Sequence, residues 1–249
     1  MCNDTHWTKI VNILEYSDSK LLVQTRKAAL YTSNVSVYWG IKYMESEETV
    51  FDRNYEDYLK QLENIPIESI APNLGGKVEE GVIKIPLFGI NYKISVSGII
   101  DSFGNKPAYD LCVVLSKYLL LCPDANPKEV EWVSFRDFKD SGPLTNYFNN
   151  DVERSIASYF KGNLDGLKKS GKSISGYQPN LDVNYDFAMQ FDALPRIPVL
   201  LLFNDADEEF SAKCSVLFER RAEKYLDAEC IAMLGWQLFN HLRKADKMR

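Results

Sequence analysis

The hydrophobic positions along this chain follow a period of two in some stretches, which is typical of β-strands. Two such runs lie within residues 82–97 and are separated by Gly89, a pattern that predicts a β-hairpin. Pro86 interrupts the first run, and because proline cannot donate to a β-ladder we expect it at a sheet edge or a bulge. Two more strands are predicted at 185–191 and 197–203, the second apolar throughout and therefore buried on both faces.

Other stretches repeat their apolar residues every three or four positions, as amphipathic helices do. This pattern predicts helices at 55–62, 109–122 and 147–160. The acidic residues after the apolar strand are predicted to begin a further helix, across residues 205–225. Asp227 is predicted to cap a last one, so the C-terminal part is expected to be a helical pair.

The N-terminal part of the chain gives weaker signals. A helix is predicted at 21–31 and a strand at 34–43. Pro66 and Pro72 then indicate a loop that continues to Gly75, because both proline and glycine interrupt regular structure.

The strands and helices interleave without a regular βαβ rhythm, so the pattern favours an α+β fold. Residues 71–249 are predicted to form a single domain, in which a sheet that contains the hairpin packs against several helices, with the helical pair at the C-terminus. Residues 1–70 are predicted to be an N-terminal extension. A length of 249 residues with 45% hydrophobic residues is enough for a sizeable core.

Charge and cysteine usage narrow the class of protein. The chain has 29 basic and 35 acidic residues and a net charge of −6, which disfavours nucleic-acid binding. No apolar run reaches the roughly 18 residues of a membrane span, and the N-terminus has no signal-peptide pattern. The five cysteines are an odd number and lie mostly among apolar residues, as free thiols in a reducing compartment do. We therefore expect a cytoplasmic protein that binds neither nucleic acid nor a membrane.

The segment from Gly166 to Ser173 matches the phosphate-binding pattern G-x-x-x-x-G-K-[ST]. Such a loop requires a buried strand before it and a helix after it, so that backbone N–H groups converge on the phosphate. Here a predicted helix precedes the segment, and Gly176 and Pro179 follow it. We therefore interpret the segment as a flexible, basic surface loop.

The densest acidic cluster contains Asp205, Asp207 and Glu208 and follows the apolar strand. Its carboxylates could cap a helix, hold a divalent metal, or act as an acid and a base. A calcium loop is not expected, because Phe210 occupies the position of the glycine that this loop requires. With two histidines and no C-x-x-C pair, the sequence predicts no zinc or iron–sulfur site.

Two arginines lie in rigid, apolar surroundings: Arg136 between Phe135 and Asp137, and Arg196 directly after Pro195. Each guanidinium could bind a carboxylate or phosphate through two hydrogen bonds, or could pair with an acid of the chain itself. The candidate ligand contacts are Arg136, Asp137, Arg196, Asp205, Asp207 and Glu208.

Several short segments form a further pattern over the second two-thirds of the chain. They are PLFG at 86–89 with the following strand, YLL at 118–120, WVSFRDF at 132–138, GP at 142–143, YD at 185–186, LPRIP at 194–198, FNDADEEF at 203–210 and LDAE at 226–229. Together they resemble the family catalogued as domain of unknown function 3786. The resemblance implies an occurrence mainly in anaerobic bacteria and archaea, and a family without an established activity. Some relatives carry a cysteine-rich segment similar to the iron–sulfur domain of corrinoid proteins, which implies a setting in one-carbon or corrinoid metabolism. This chain lacks those cysteines.

Two functions stay open at this point. The favoured one is an accessory protein of anaerobic metabolism that binds a small anionic ligand or a partner protein near Arg136, Arg196 and the acidic cluster. The alternative is an enzyme that uses Asp205, Asp207 and Glu208, with or without a metal ion. The first is preferred because the sequence shows no recognisable nucleophile and base. The identity of any cofactor stays open.

Overall fold

The computed structural model describes residues 52–181 and 184–248. The helix predicted at 21–31 and the strand predicted at 34–43 lie outside the described residues. Within them, helices and two antiparallel sheets form an α+β fold, which confirms the predicted fold class.

Helix α1 covers residues 52–62 and confirms the helix predicted at 55–62. Its apolar side includes Tyr55 and Leu62, both buried. The hydroxyl of Tyr55 accepts a hydrogen bond of 2.7 Å from the backbone N–H of Ile99. This bond joins α1 to the first sheet.

The first sheet is a four-stranded antiparallel meander that contains the predicted hairpin. Its strands are β1 (Lys77–Glu79), β2 (Val82–Leu87), β3 (Ile90–Ser95) and β4 (Gly98–Ile100), paired in that order. Ile83, Ile85 and Leu87 alternate with more exposed residues, so one face of the sheet belongs to the core. Pro86 lies beyond Lys84, the last residue of β2 that pairs with β1, which agrees with the predicted edge position.

Helix α2 (Ile67–Leu74) replaces the loop predicted from Pro66 and Pro72. Pro66 precedes the first turn, where a missing N–H breaks no helical bond, whereas Pro72 lies inside the helix and removes one. Ala71 and Leu74 are buried, and their burial offsets this loss. The loop prediction was wrong because it was based on the two prolines and left the apolar positions Ala71 and Leu74 out of account.

Helix α3 (Tyr109–Leu120) confirms the predicted helix at 109–122 and is almost entirely buried. The hydroxyl of Tyr118, itself fully buried, donates a hydrogen bond of 2.9 Å to the backbone carbonyl of Leu74. Helix α3 is thereby fixed to the end of α2.

The second sheet is also antiparallel, but its strands are not in chain order. They are β5 (Trp132–Ser134), β6 (Phe187–Leu194), β7 (Ile197–Asn204) and β8 (Lys213–Glu219), arranged β5-β8-β7-β6. Strands β6 and β7 confirm the two strands predicted near 185–191 and 197–203. Strand β7 lies between two neighbours and is buried along nearly its whole length, as its apolar run predicts.

Strand β8 corrects the helix predicted across residues 205–225. The acidic cluster is followed by β8, which pairs with β7 from Val199↔Phe218 to Asn204↔Lys213. Of the predicted span only Arg220–Lys224 is helical, as a short 3-10 helix. The apolar positions of this segment satisfy both a helical and an alternating pattern, and Val216 and Phe218 are the buried residues of the alternating one. The segment forms a strand and not a helix because β7 offers it an edge with which to pair.

Helix α4 spans residues 145–160 and confirms the helix predicted at 147–160. Its central segment, Phe148–Glu153, has π-helical geometry, and the α-helical segments Thr145–Tyr147 and Arg154–Phe160 flank it. Gly162, with φ of 70°, follows the helix end. The chain therefore turns directly into the next helix.

Helix α5 (Leu164–Ser173) corrects the predicted surface loop that matches the phosphate-binding pattern. Asn163 caps it by accepting a hydrogen bond of 3.0 Å from the N–H of Gly166. Gly171 is buried against β6, where a Cβ atom would lie 2.2 Å from Sδ of Met189. The two glycines of the motif therefore serve the packing of a helix. Gly166 leaves room for the side chain of its cap residue Asn163, and Gly171 lets the helix approach β6.

Helix α6 (Ala228–Lys247) begins at Asp227, whose carboxylate accepts a hydrogen bond of 2.9 Å from the N–H of Cys230. This confirms the predicted cap. The C-terminal part is a strand, a short 3-10 helix and one α-helix, and the predicted helical pair was wrong because most of its first member is loop and β8. Among the helices in the described ranges, none is both long and apolar enough to cross a membrane.

Candidate functional site

A pocket of about 340 Å³ lies where β5 ends beside β8, and we name it the β5–β8 pocket. Its volume falls at the small end of the range of roughly 300–1,000 Å³ that is typical of ligand sites. The lining residues are Ser134, Phe135, Arg136, Thr145, Asn146, Phe148, Asn149, Glu153, Ser215 and Leu217. They come from β5, α4, β8 and the turn after β5.

Arg136 is held at the pocket by a tight turn at the end of β5. Residues Phe135–Asp137 form one turn of 3-10 helix, and the Asp137 carboxylate accepts hydrogen bonds from the Ser134 hydroxyl at 2.7 Å and from the Ser134 N–H at 3.1 Å. These bonds, with the nearby guanidinium groups of Arg136 and Arg220, lower the pKa of Asp137. The Arg136 side chain stays 75% exposed, and its Nε lies 3.8 Å from the Asp137 carboxylate.

The second wall of the pocket is the edge of β8 that β5 leaves uncovered. Strand β5 pairs with β8 only along Leu217–Glu219. Beyond that point the N–H of Val216 donates a hydrogen bond of 3.0 Å to a carboxylate oxygen of Glu153. A side chain of α4 therefore takes the place of a strand neighbour at this edge.

The π-helical segment of α4 presents the third wall. The N–H of Arg154 bonds to the carbonyl of Asn149, which is the five-residue step of a π-helix. The side-chain amide of Asn149 donates a hydrogen bond of 3.1 Å to the other carboxylate oxygen of Glu153. Phe148 stacks on Phe135, with ring centroids 4.5 Å apart, and gives the pocket an apolar side. Short π-helical segments of this kind occur frequently at functional sites.

The pocket combines one cation, one carboxylate and several neutral hydrogen-bonding groups. Arg136 supplies the cation, Glu153 the carboxylate, and Asn146 and Ser215 an amide and a hydroxyl. Cys214 lies close to this carboxylate, and burial followed by the charge of Glu153 raises the pKa of its thiol. The thiol is therefore held in its protonated form, which is a poor nucleophile. Such a lining is suited to binding a small polar molecule.

Arg196 lies in the turn between β6 and β7. Its guanidinium donates hydrogen bonds of 2.7 Å and 3.0 Å to the backbone carbonyls of Pro72 and Asn73, at the end of α2. Its backbone N–H donates to the Tyr118 hydroxyl at 3.2 Å. The partners of Arg196 are thus carbonyl groups of a helix C-terminus, where a cation is favoured, and not the acid considered from the sequence.

Asp205 and Asp207 lie in the loop between β7 and β8, and each accepts hydrogen bonds from backbone N–H groups. Asp205 accepts from Gly162 at 2.8 Å, and Asp207 accepts from Phe210 at 2.6 Å and Glu209 at 2.9 Å. These backbone bonds lower the pKa of Asp207. In the part of the chain that the structure describes, no three histidine, cysteine, aspartate or glutamate side chains gather as metal ligands do.

The candidate residues of the sequence analysis do not form one site. Arg196 and Asp205 lie at opposite ends of β7, a strand of eight residues. At about 3.3 Å per residue they are roughly 30 Å apart. Arg136 alone among the candidates lines the β5–β8 pocket, and Asp137 positions the turn that carries it.

The contributions of α4 and β8 to this pocket were not predicted from the sequence. Asn149, Glu153 and Ser215 received no functional interpretation, because each is an ordinary polar residue beside an apolar stripe. One signal was present. Asn149, Asn150 and Asp151 are three consecutive poor helix formers in the middle of an amphipathic helix, and they coincide with the π-helical segment.

Comparison with known proteins gives one match. A family model described as "Domain of unknown function (DUF3786)" matches residues 66–241. No curated protein and no solved structure matches the chain.

Proposed function

This chain belongs to the DUF3786 family, and on the chemistry of its own residues we propose that it binds a small anionic molecule in the β5–β8 pocket. The observation that carries the proposal is the exposed guanidinium of Arg136 at the mouth of a small polar pocket. A guanidinium binds carboxylate and phosphate groups through two parallel hydrogen bonds.

The environment of Arg136 supports this role. Its side chain comes no nearer than 3.8 Å to the Asp137 carboxylate, and that carboxylate is bound to Ser134. Across residues 52–181 and 184–248, no hydrogen bond occupies the Arg136 guanidinium, the Asn146 amide or the Ser215 hydroxyl. A ligand in the pocket could therefore bond to these groups without breaking a hydrogen bond of the described residues, although the Arg136 guanidinium also has its 3.8 Å ion-pair contact with Asp137.

The binding role is that of an accessory protein, and its setting in anaerobic, one-carbon or corrinoid metabolism is a prediction from the family resemblance. A cytoplasmic location is part of the same proposal. It is supported by the free thiols of Cys112, Cys122, Cys214 and Cys230, since such thiols persist in reducing compartments.

The alternative enzyme that uses Asp205, Asp207 and Glu208 gains no support from the geometry. In the part of the chain that the structure describes, these carboxylates do not belong to a group of three or more histidine, cysteine, aspartate or glutamate side chains arranged as metal ligands. We therefore place the binding function in the β5–β8 pocket and keep the enzyme only as an outcome of the experiment below.

The test begins with native mass spectrometry of the full chain purified without oxygen, compared with the same sample denatured. Thermal unfolding is then measured with a panel of small carboxylates and inorganic phosphate. A ligand at ten times its Kd stabilises the folded state by about 1.4 kcal/mol, or roughly 3–6 °C in Tm for a chain of this size.

We expect at least one anion to raise Tm, and Arg136→Ala to abolish the shift. Lys139→Ala is the matched control, because Lys139 is an exposed cation three residues away that does not line the pocket. An equal shift in Arg136→Ala, or no shift with any anion and no co-purified mass, contradicts the proposal. A shift with Mg²⁺ that Asp207→Asn removes would favour the enzyme instead.

A further inference from the structure

The β5–β8 pocket places a carboxylate, Glu153, in the same small volume as the cation Arg136. This pairing of opposite charges bears on the class of ligand, and the argument rests on the proposed function. A pocket for a simple anion or a dianion needs cations and neutral donors. A half-buried carboxylate in its wall weakens the binding of such a ligand and favours an anion that also carries an ammonium group.

Glu153 is fixed in place with bonding capacity to spare. One carboxylate oxygen accepts from the Val216 N–H at 3.0 Å and the other from the Asn149 amide at 3.1 Å. An ionised carboxylate offers about four acceptor positions, so each oxygen can accept one more hydrogen bond. Both partners are neutral, and they hold the carboxylate rigidly without cancelling its charge.

Among residues 52–181 and 184–248, the charge of Glu153 has no cationic partner, since no lysine, arginine or histidine of these ranges lies within ion-pair distance of its carboxylate. Half-buried carboxylates are normally paired, because removing them from water is costly. The Glu153 carboxylate is therefore available to pair with an ammonium group of a ligand.

The pocket suits a ligand with two opposite charges, a negative group for Arg136 and a positive group for Glu153. The neutral side chains of Asn146 and Ser215 also belong to the lining. We infer that the ligand is a zwitterion that carries a carboxylate and an ammonium group, of the α-amino acid class. Its carboxylate bonds to Arg136 and its ammonium group bonds to Glu153. Leu217, which is half-buried in the lining, supplies an apolar contact for the side chain of such a ligand.

The test compares L-amino acids with the α-hydroxy acids of the same side chain, for example L-alanine with L-lactate. Each pair keeps the carboxylate and replaces the ammonium group by a hydroxyl. Binding to the full chain is measured by titration calorimetry, after removal of any co-purified ligand. We expect at least one amino acid to bind about tenfold or more tightly than its hydroxy acid, since a charge-assisted hydrogen bond is lost with the ammonium group.

Glu153→Gln removes the charge and keeps the length of the side chain, and we expect it to reduce this preference to near parity. Glu129→Gln, on an exposed glutamate outside the pocket, is the matched control and keeps the full preference. The comparison of amino acid with hydroxy acid on the unaltered chain requires no variant, so it stands even where Glu153→Gln folds poorly.

The outcomes separate this inference from the proposed function. Hydroxy acids that bind as tightly as amino acids, through Arg136, overturn the zwitterion and leave the anion site in place. A preference for amino acids that survives Glu153→Gln also overturns the inference, because Glu153 is then not the partner of the ammonium group. If neither amino acids nor hydroxy acids bind, the zwitterion is overturned. The anion site is overturned as well only if inorganic phosphate and the other carboxylates also fail and no ligand mass co-purifies.

Discussion

Glu153 accepts a hydrogen bond of 3.0 Å from the backbone N–H of Val216, and this bond joins the π-helical segment of α4 to the uncovered edge of β8. A sheet edge is usually protected by a strand, a helix or a charged side chain. Here one carboxylate both occupies the edge and lines the β5–β8 pocket. The stability of the sheet and the chemistry of the pocket therefore depend on the same side chain.

Glu153→Ala is expected to destabilise the protein by about 1–3 kcal/mol, because the Val216 N–H and the Asn149 amide both lose their acceptor. Urea unfolding monitored by circular dichroism measures the change. Glu129→Ala, on an exposed residue, should stay within about 0.5 kcal/mol of the unaltered chain. A similar small effect for both variants would show that the bond to Val216 contributes nothing to stability.

Arg196→Ala is expected to cost about 1–3 kcal/mol, because the carbonyls of Pro72 and Asn73 lose a charged donor at the end of α2. Arg196→Lys should recover only part of the loss, since a lysine cannot reproduce the two-pronged geometry. Equilibrium unfolding of both variants beside Arg154→Ala, an exposed arginine of α4, gives the comparison. Unchanged stability in Arg196→Ala would return Arg196 to the set of residues free to bind a ligand.

Gly171→Ala should destabilise the protein by about 1–3 kcal/mol, although alanine is the better helix former. The new Cβ would lie 2.2 Å from Sδ of Met189, closer than two such atoms can approach. Gly142→Ala is the control, because apart from its chain neighbours no residue comes within 4 Å of the position of its Cβ. In a double-mutant cycle, Met189→Ala should relieve part of the cost of Gly171→Ala. Strictly additive effects would place the origin of the cost elsewhere.

His241 is expected to make the folded state sensitive to mild acid. Burial lowers its pKa from 6.5 to about 4, and Lys244 adds repulsion. His241 therefore becomes protonated near pH 6.5 in the unfolded chain, but only near pH 4 in the folded chain. Stability is complete above pH 6.5 and falls by up to about 3 kcal/mol as the pH is lowered through this window.

His241→Phe should flatten this part of the pH profile, because phenylalanine keeps the ring that contacts Phe88 and does not titrate. Unfolding free energies between pH 4 and 8 are compared for the two proteins, so that the carboxylates common to both cancel. The pKa of His241 is also measurable by NMR. Identical slopes for the two proteins would exclude His241 as the source of acid sensitivity.

Much of the fold was predictable because it depends on local periodicity. The hairpin of β2 and β3, the buried strand β7 and the cap at Asp227 all appear in the sequence as patterns that span a few residues. The wrong predictions of secondary structure occur where a local pattern is compatible with two different structures. The segment that forms β8 satisfies both helical and alternating spacing. Gly171 of α5 indicates a turn when it is considered alone, and only its packing against Met189 of β6 shows why a helix needs a glycine there.

The candidate site was predictable to a smaller extent. Arg136 was selected for a rigid guanidinium in apolar surroundings, and it does line the β5–β8 pocket. Glu153 and Ser215 were not selected, because nothing in their own neighbourhood distinguishes them. They meet Arg136 only when β8 pairs between β5 and β7 and brings distant parts of the chain together.

The sequence by itself therefore determined the fold class, most of the strands and helices, and one residue of the pocket. Those features follow from interactions between residues a few positions apart, which the order of amino acids encodes directly. Tertiary structure alone decided that β8 is a strand, that Arg196 binds the end of α2, and that Glu153 shares a pocket with Arg136. Each of these depends on the strand order β5-β8-β7-β6 or on the packing of helices against the sheets, and so on contacts between residues far apart in the chain.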